Sequence, residues 1–215
     1  MTKNRWDDYY ARRASDEKWL ARSVYKLQEI DKKCGLIRRE DQLLDLGCYP
    51  GSWSQYGLKK VGPPGEIIGI DLNRPDRLSF PNFRFMQADV LTLDIEWLTK
   101  EVSPRDLVMS DLSPQITGIR STDTSRSMAL ARRAIEIARA LLKRKGHFLC
   151  KVLEGEDLKP FRSEVSEHFR RIQLFRPKAT RKRSSEIYIV GLEFVEKENR
   201  NQEGVNVRSF KMEFN

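Results

Sequence analysis

The sequence predicts an α/β fold, a mostly parallel sheet covered by helices on both faces. Short apolar runs recur along the chain, and helix-length segments separate several of them. One of these runs, in residues 43–55 (LLDLGCYPGSWSQ), passes through Gly47, Pro50 and Gly51 into a helix-compatible stretch. Three later apolar runs end on aspartates, at Asp71, Asp89 and Asp111. At 215 residues and 39% hydrophobic content, the chain suits one domain with a proper core.

The first 15 residues mix charges and aromatics without a period and read as an arm. A helix is expected from Ser15, capped by Ser15 or Asp16, because Leu20, Val24, Leu27 and Ile30 recur at helical spacing and Gly35 offers a stop. Lys26 lies beside that stripe. Strands are expected at 42–46, 66–71, 83–87, 106–111 and 146–152. The clearest helix covers 121–143, where Met128, Ala131, Ile135, Ala138 and Leu142 form a stripe. Its last turn would be the basic Lys143-Arg144-Lys145 before Gly146, which suits a helix C-terminus. A helix near 157–169, a strand at 171–175 and a last strand at 186–194 follow. Residues 1–195 thus read as a single domain with an arm at about 1–15, and 196–215 as a polar, mobile tail.

Lys+Arg 40 against Asp+Glu 31 gives a net charge of +9. Such a balance favours a polyanionic partner, or it is a basic surface that only keeps the chain soluble. Cys34, Cys48 and Cys150 form no C-x-x-C pair, which fits a reducing compartment and gives no metal-site spacing. His147 and His168 have no ligand partners nearby in sequence and read as surface or strand-edge residues. The N-terminus lacks an apolar segment, and no run approaches a membrane span, so a cytoplasmic protein without membrane or metal is expected.

In open α/β sheets, ligands sit outside the C-terminal ends of the strands. Gly47 and Gly51 would let a ligand approach the backbone there without meeting a Cβ. Their G-x-x-x-G spacing is neither the dinucleotide fingerprint nor a phosphate-binding loop. An acid at the end of the second strand suits a ribose diol, and one after the third can accept from an adenine amino group. A glycine turn with ordered acids therefore describes a nucleoside without pyrophosphate, and S-adenosylmethionine is that ligand. Each aspartate taken alone would serve equally as a helix cap. Base-amine methylation is disfavoured because Asp111-Leu112-Ser113-Pro114 has no aromatic to stack a flipped base, and pyrimidine C5 methylation because no cysteine follows proline. What remains at this edge is ionic. Asp111 ends the fourth strand, Lys151 sits inside the fifth, Glu186 opens the last, and Lys26 is within reach of a fourth place. On these residues alone, the set is either catalytic or an ion-pair network closing a sheet end.

SVYKLQEID, LLDLGCYPGSWSQ, VMSDLSP, RSMALARRAIEIA, CKVLEGE and RKRSSEIYIV, in this order, resemble the FtsJ/RrmJ family of RNA ribose 2′-O-methyltransferases over about residues 15 to 194. The resemblance implies a class I methyltransferase fold of Rossmann type, with a seven-stranded sheet whose last strand is antiparallel. It implies a catalytic tetrad of Lys26, Asp111, Lys151 and Glu186. It also implies S-adenosylmethionine contacts from Gly51, Trp53, Asp71, Asp89 and Asp111, and Gly47 and Ser52 of the same turn join that set. Against the family's G-A-A-P-G-G-W, this chain has Tyr49 and Ser52 as bulkier residues, expected to reshape the methionine end of the pocket, and Ser113 replaces a frequent alanine.

The implied mechanism is in-line attack of a ribose 2′-oxygen on the sulfonium methyl. Lys151 takes or orients the hydroxyl proton, Asp111 holds Lys151, and Lys26 and Glu186 complete the network. RNA contact is expected at 176–183 (RPKATRKR), through Lys178, Arg181, Lys182 and Arg183, with Arg22. The arm and leading helix add Arg5, Arg12, Arg13 and Lys18, with Trp6, Tyr9, Tyr10 and Trp19 for stacking, or else are a solvated surface. Asp45, inside the first run, is expected to hydrogen-bond the turn's own backbone. The implied substrate is a uridine of large-subunit ribosomal RNA within the large ribosomal subunit, with a monomeric enzyme. The alternatives are a tRNA anticodon-loop methyltransferase of the same family and a non-catalytic ribosome-assembly protein.

Overall fold

The structure is a computed structural model that describes residues 5–196, with the backbone alone for 5–8. In chain order the elements are α1 (Arg5–Asp16), α2 (Val24–Cys34), β1 (Gln42–Leu46), α3 (Ser52–Val61), β2 (Glu66–Asp71), β3 (Phe83–Gln87) and α4 (Ile95–Glu101), then β4 (Arg105–Ser110), α5 (Arg120–Leu141), β5 (Leu142–Leu153), α6 (Leu158–Ser166), β6 (Phe169–Phe175) and β7 (Glu186–Phe194). The expected polar tail, and the side chains of Arg5 and Trp6, lie outside what is described.

The strands form one seven-stranded sheet in the order β3-β2-β1-β4-β5-β7-β6. β1 pairs in parallel with β2 on one side and β4 on the other, so the chain reverses its direction of winding at β1. Parallel sheets of this kind open a crevice outside the C-terminal ends of the strands at the reversal. β7 runs antiparallel to both β5 and β6, as the family resemblance implies. Leu153 is paired with Glu186, which brings the start of β7 to the end of β5.

Strand alternation divides the core. Leu44, Leu46, Ile68, Ile70, Val108, Phe148, Cys150 and Val152 pack with α4, α5 and α6. Leu43, Ile67, Leu107, Met109, Leu149, Tyr188 and Val190 pack with α2 and α3. Asp45 and Lys151 stand two residues from Leu43 and Leu149 of the second set, so both belong to the α2–α3 face.

Four segments differ from expectation. The arm is helical: α1 docks Ala14 into a small cluster with Val24, Tyr25 and Ala179, and Arg13 holds Glu17 at 2.6 Å. Tyr10 packs against that local cluster instead of joining a periodic stripe. The second helix starts at Val24 and not at Ser15, because the chain turns at Lys18, whose φ is +58°. The long helix ends at Leu141. Leu142 already pairs with Arg105 on β4, and Lys143 reaches Asp106 at 2.7 Å, so the basic triplet opens a strand. Helix α4 had no apolar signature; Asp94 caps it by accepting from the N–H groups of Glu96 and Trp97. His168 is buried, not a surface residue, and its N–H donates to the Val165 carbonyl.

Candidate active site

The crevice starts at the glycine turn. Gly47 has φ +77°, and a Cβ there would stand 2.8 Å from Leu112 Cδ2; Gly51 has φ +107°, and its Cβ would meet Leu20 at 3.0 Å and Pro75 at 3.2 Å. Any other residue would be strained at both places and would fill the cradle. Beside the turn, Asp71 Oδ2 accepts from the Tyr49 N–H at 3.0 Å, and its Oδ1 accepts from the Asn73 N–H at 2.9 Å. Asp89 Oδ1 likewise accepts from the Leu91 N–H at 2.9 Å. These carboxylates shape their own loops and keep lone pairs for a ligand.

The bulky turn residues point elsewhere than the sequence suggested. Tyr49 is 55% exposed. Ser52 is buried, its hydroxyl 2.8 Å from that of Ser23, so what it presents to the turn is backbone. Trp53 is buried too; its Nε1–H donates to the Ser23 carbonyl at 3.0 Å. Asp45 bonds not the glycine turn but the first turn of α3, where the Ser54 hydroxyl donates to its Oδ2 at 2.6 Å. Its Oδ1 is buried without a partner. Burial pushes the Asp45 carboxyl up to about 7, and the Ser54 hydrogen bonds offset this in part.

The charged residues meet on the β4–β5–β7 side. Lys151 projects from the interior of β5 onto the α2–α3 face and is cross-strand partner to Tyr188. Its Nζ lies 2.7 Å from the Asp111 carbonyl and 3.2 Å from Asp111 Oδ1. With the Lys151 side chain only 5% exposed, the ammonium is tolerable there because it is paired, and removing one partner of such a pair costs roughly 3–5 kcal/mol. Lys26, one turn into α2, bonds Glu186 Oε2 at 2.6 Å.

Tyr188 joins the two pairs, and sequence reading missed it. Its hydroxyl donates to Asp111 Oδ1 at 2.9 Å, while Lys26 Nζ stands 5.6 Å from its ring centroid. Burial, then the neighbouring Asp111 and Glu186, hold the phenol well above its ordinary range, so it remains a donor. The Trp53 ring backs it at 5.9 Å. A signal was available: Glu186 and Tyr188 are two apart on a strand and share a face.

The basic stretch 176–183 folds over the entrance to α2. Arg22 donates to the Ala179 carbonyl at 2.8 Å, and the Lys178 N–H donates to Glu29 Oε2 at 2.8 Å. Arg22 therefore anchors the loop, while the side chains of Lys178, Arg181, Lys182 and Arg183 are exposed immediately before Glu186.

Other chemistries find less support. Burial raises the thiols of Cys48 and Cys150, the latter to about 12, which disfavours a cysteine nucleophile. Among the described residues, no three His, Cys, Asp or Glu side chains gather where they could hold a metal ion. No helix among them is long and apolar enough to cross a membrane.

A family model described as FtsJ-like methyltransferase matches residues 19–194. The chain belongs to that family. A "Ribosomal RNA large subunit methyltransferase E" of Bdellovibrio bacteriovorus is 45% identical over 188 residues, covering 86% of this chain and 95% of the relative. A protein of the same name from Methanobrevibacter smithii is 36% identical, covering 90% and 93%. A crystal structure from Plasmodium falciparum, provisionally described as a ribosomal RNA methyltransferase, superposes with a TM-score of 0.71 at 25% identity, covering 82% of this chain and 98% of that one. The match with the FtsJ-like methyltransferase family spans every element that contributes to the crevice.

Proposed function

We propose that the protein transfers the methyl group of S-adenosylmethionine to a ribose 2′-hydroxyl of large-subunit ribosomal RNA, on a uridine. The observation that carries this reading is the pairing of buried Lys151 with Asp111 at the sheet edge, with Lys26 and Glu186 paired next to it. The relatives' names supply the RNA, and the resemblance supplies the ribose and the uridine.

The cradle fits the cofactor. Gly47 and Gly51 clear the backbone, and Asp71 and Asp89 stand in order at the end of β2 and just past β3. Asp71 would hold the ribose hydroxyls and Asp89 the adenine amino group, while Gly47, Gly51 and the backbone of Ser52 and Trp53 line the methionine end. The bound cofactor would supply an activated methyl on a sulfonium, so alignment of the acceptor accounts for much of the acceleration.

Lys151 Nζ is the group assigned to the acceptor hydroxyl: as an ammonium it donates to the 2′-oxygen and orients it, and only as the neutral amine does it take the hydroxyl proton. Asp111 fixes Lys151 through both its carbonyl and its carboxylate, and Tyr188 fixes the carboxylate in turn. Lys26, paired with Glu186, completes the network beside Tyr188. The exposed cations of 176–183 would meet phosphates next to the acceptor.

A transfer assay tests this with methyl-labelled S-adenosylmethionine and three unmodified acceptors: total tRNA, free large-subunit rRNA and isolated large subunits. Label in ribosomal material as an alkali-resistant dinucleotide, lost with Lys151→Ala, is the expected result. Label confined to tRNA would replace the acceptor, and cofactor binding without any transfer would defeat the reading.

A further inference from the structure

The loop between β4 and α5 carries a feature that the chemistry above does not use. Among the described residues, Ile116 and Ile119 are the two most exposed large hydrophobic side chains, at 64% and 61%. Exposed isoleucines are common singly. Two of them on one short turn, held in place by a dedicated carboxylate, are a different matter.

That carboxylate is Asp123. Its Oδ1 accepts from the Thr117 N–H at 2.8 Å and the Thr117 hydroxyl at 2.7 Å, and its Oδ2 accepts from the Gly118 N–H at 3.1 Å. These hydrogen bonds lower its pKa, so at neutral pH it is a fixed anion spent on the turn. Gly118, between the two isoleucines, has φ +84° and open space around it. Arg126 reaches back to the Gln115 carbonyl at 3.4 Å. The turn thus presents Ile116 and Ile119 on a preformed frame, which reduces the ordering cost of binding.

Both roots of the loop lie at the catalytic edge. It leaves from Asp111, and it returns into α5, where the Ser127 hydroxyl accepts from the Leu153 N–H at 3.0 Å, two residues past Lys151. Thr124 packs within 3.1 Å of the Cβ position of Gly155. The glycine turn and its acids follow β1, β2 and β3, whereas this loop leaves β4 and is tied back to the end of β5; with the cofactor on the first side, the acceptor would come to the second. The exposed charges next to the tip, Arg120 and Arg126, are cationic, and the acids Glu156 and Asp157 are exposed on the turn after β5 that Thr124 touches. An apolar tip between two arginines matches a polyanion whose bases are apolar on their faces.

We infer that Ile116 and Ile119 form an apolar wedge that packs against the faces of the nucleobases flanking the target nucleotide. The wedge holds the RNA open so that one ribose can enter beside Lys151. This rests on the RNA acceptor proposed above and names the surface that would select an unstacked strand.

The test compares the full-length protein with Ile116→Ala/Ile119→Ala and with Ile116→Leu/Ile119→Leu. A fluorescent single-stranded RNA 12-mer and the same strand with base-free sugars at its centre are titrated by anisotropy. The wild type and the leucine variant should bind the base-bearing strand roughly tenfold more tightly than the base-free one. The alanine variant should bind both alike, at the weaker level. On unmodified large-subunit rRNA, its KM should rise about as much, with the Kd for S-adenosylmethionine unchanged and thermal unfolding unaltered. An alanine variant that keeps its preference for bases overturns the wedge. So does a defect seen on assembled subunits but absent on naked RNA, since a protein partner would then be what the wedge meets. If the wild type methylates no rRNA, the acceptor assignment fails while the binding titration still decides the wedge.

Discussion

The two halves of the crevice are built on opposite plans. Over β1–β3, the cradle consists of bared backbone and separate carboxylates, each bonded to its own loop: Asp71 to Tyr49 and Asn73, Asp89 to Leu91. Over β4, β5 and β7, the side chains bind one another, Lys151 to Asp111, Asp111 to Tyr188 and Lys26 to Glu186. The first half can lose one contact and keep the others. In the second, every deletion leaves a partially buried group without its partner. Substitutions should therefore act nearly independently in the cradle and non-additively in the network.

The largest effect is expected at Lys151. Lys151→Met keeps the length and removes the charge, so transfer should fall on the order of 10³-fold while cofactor affinity, measured by calorimetry, stays close to wild type. A parallel loss of cofactor binding would erase the division between the halves. Gly47→Ala should do the reverse, weakening the cofactor Kd by about 10²-fold, because its Cβ falls 2.8 Å from Leu112 Cδ2. Next is Tyr188→Phe, which leaves Asp111 its lysine but removes a hydrogen bond: a roughly tenfold loss of transfer is expected, and little further loss when combined with Lys151→Met.

Asp45 sharpens the comparison through pH. Burial lifts its carboxyl from 3.8 to about 7. Between those values the folded chain holds a proton that the unfolded chain has released, so stability falls as pH rises from about 4 to about 7 and levels off above. Asp45→Asn should flatten that slope in urea titrations and stabilise the protein at pH 8 by on the order of 2 kcal/mol. The smallest effect on chemistry belongs to charge reversal of Lys178, Arg181, Lys182 and Arg183. It should weaken RNA binding and lessen its dependence on salt, leaving the cofactor Kd unchanged.

How much of this was legible in the sequence depended on how locally each feature was determined. Central strands such as QLLDL and EIIGID announce themselves because both of their faces are buried. The gathering of Lys26, Asp111, Lys151 and Glu186 was legible through ordered motifs, and the antiparallel β7 explains why Glu186 joins residues from strand ends. Helix α1 was not, because its packing partners, Tyr25 and Ala179, include one more than 150 residues away in the chain. Lys143 misled for a similar reason: only its partner Asp106, on another strand, shows that the basic triplet starts β5. Asp123 gave no sign that it serves the turn before it, since a polar residue in the first turn of a helix looks like any other.

Ser23 deserves its own consequence. Its carbonyl accepts from the Trp53 indole, its hydroxyl shares a hydrogen bond with that of Ser52, and Lys26 follows three residues later, its N–H bonded to the Ser23 carbonyl at 3.0 Å. One residue thus mortises the start of the helix that carries Lys26 to the start of the helix that follows the glycine turn. A substitution such as Ser52→Val, which changes only a side chain turned toward Ser23 and away from the crevice, would be felt as a misalignment at Lys26, and a survey of variants that looked only for side chains facing the ligands would pass over the joint on which the alignment of the two halves depends.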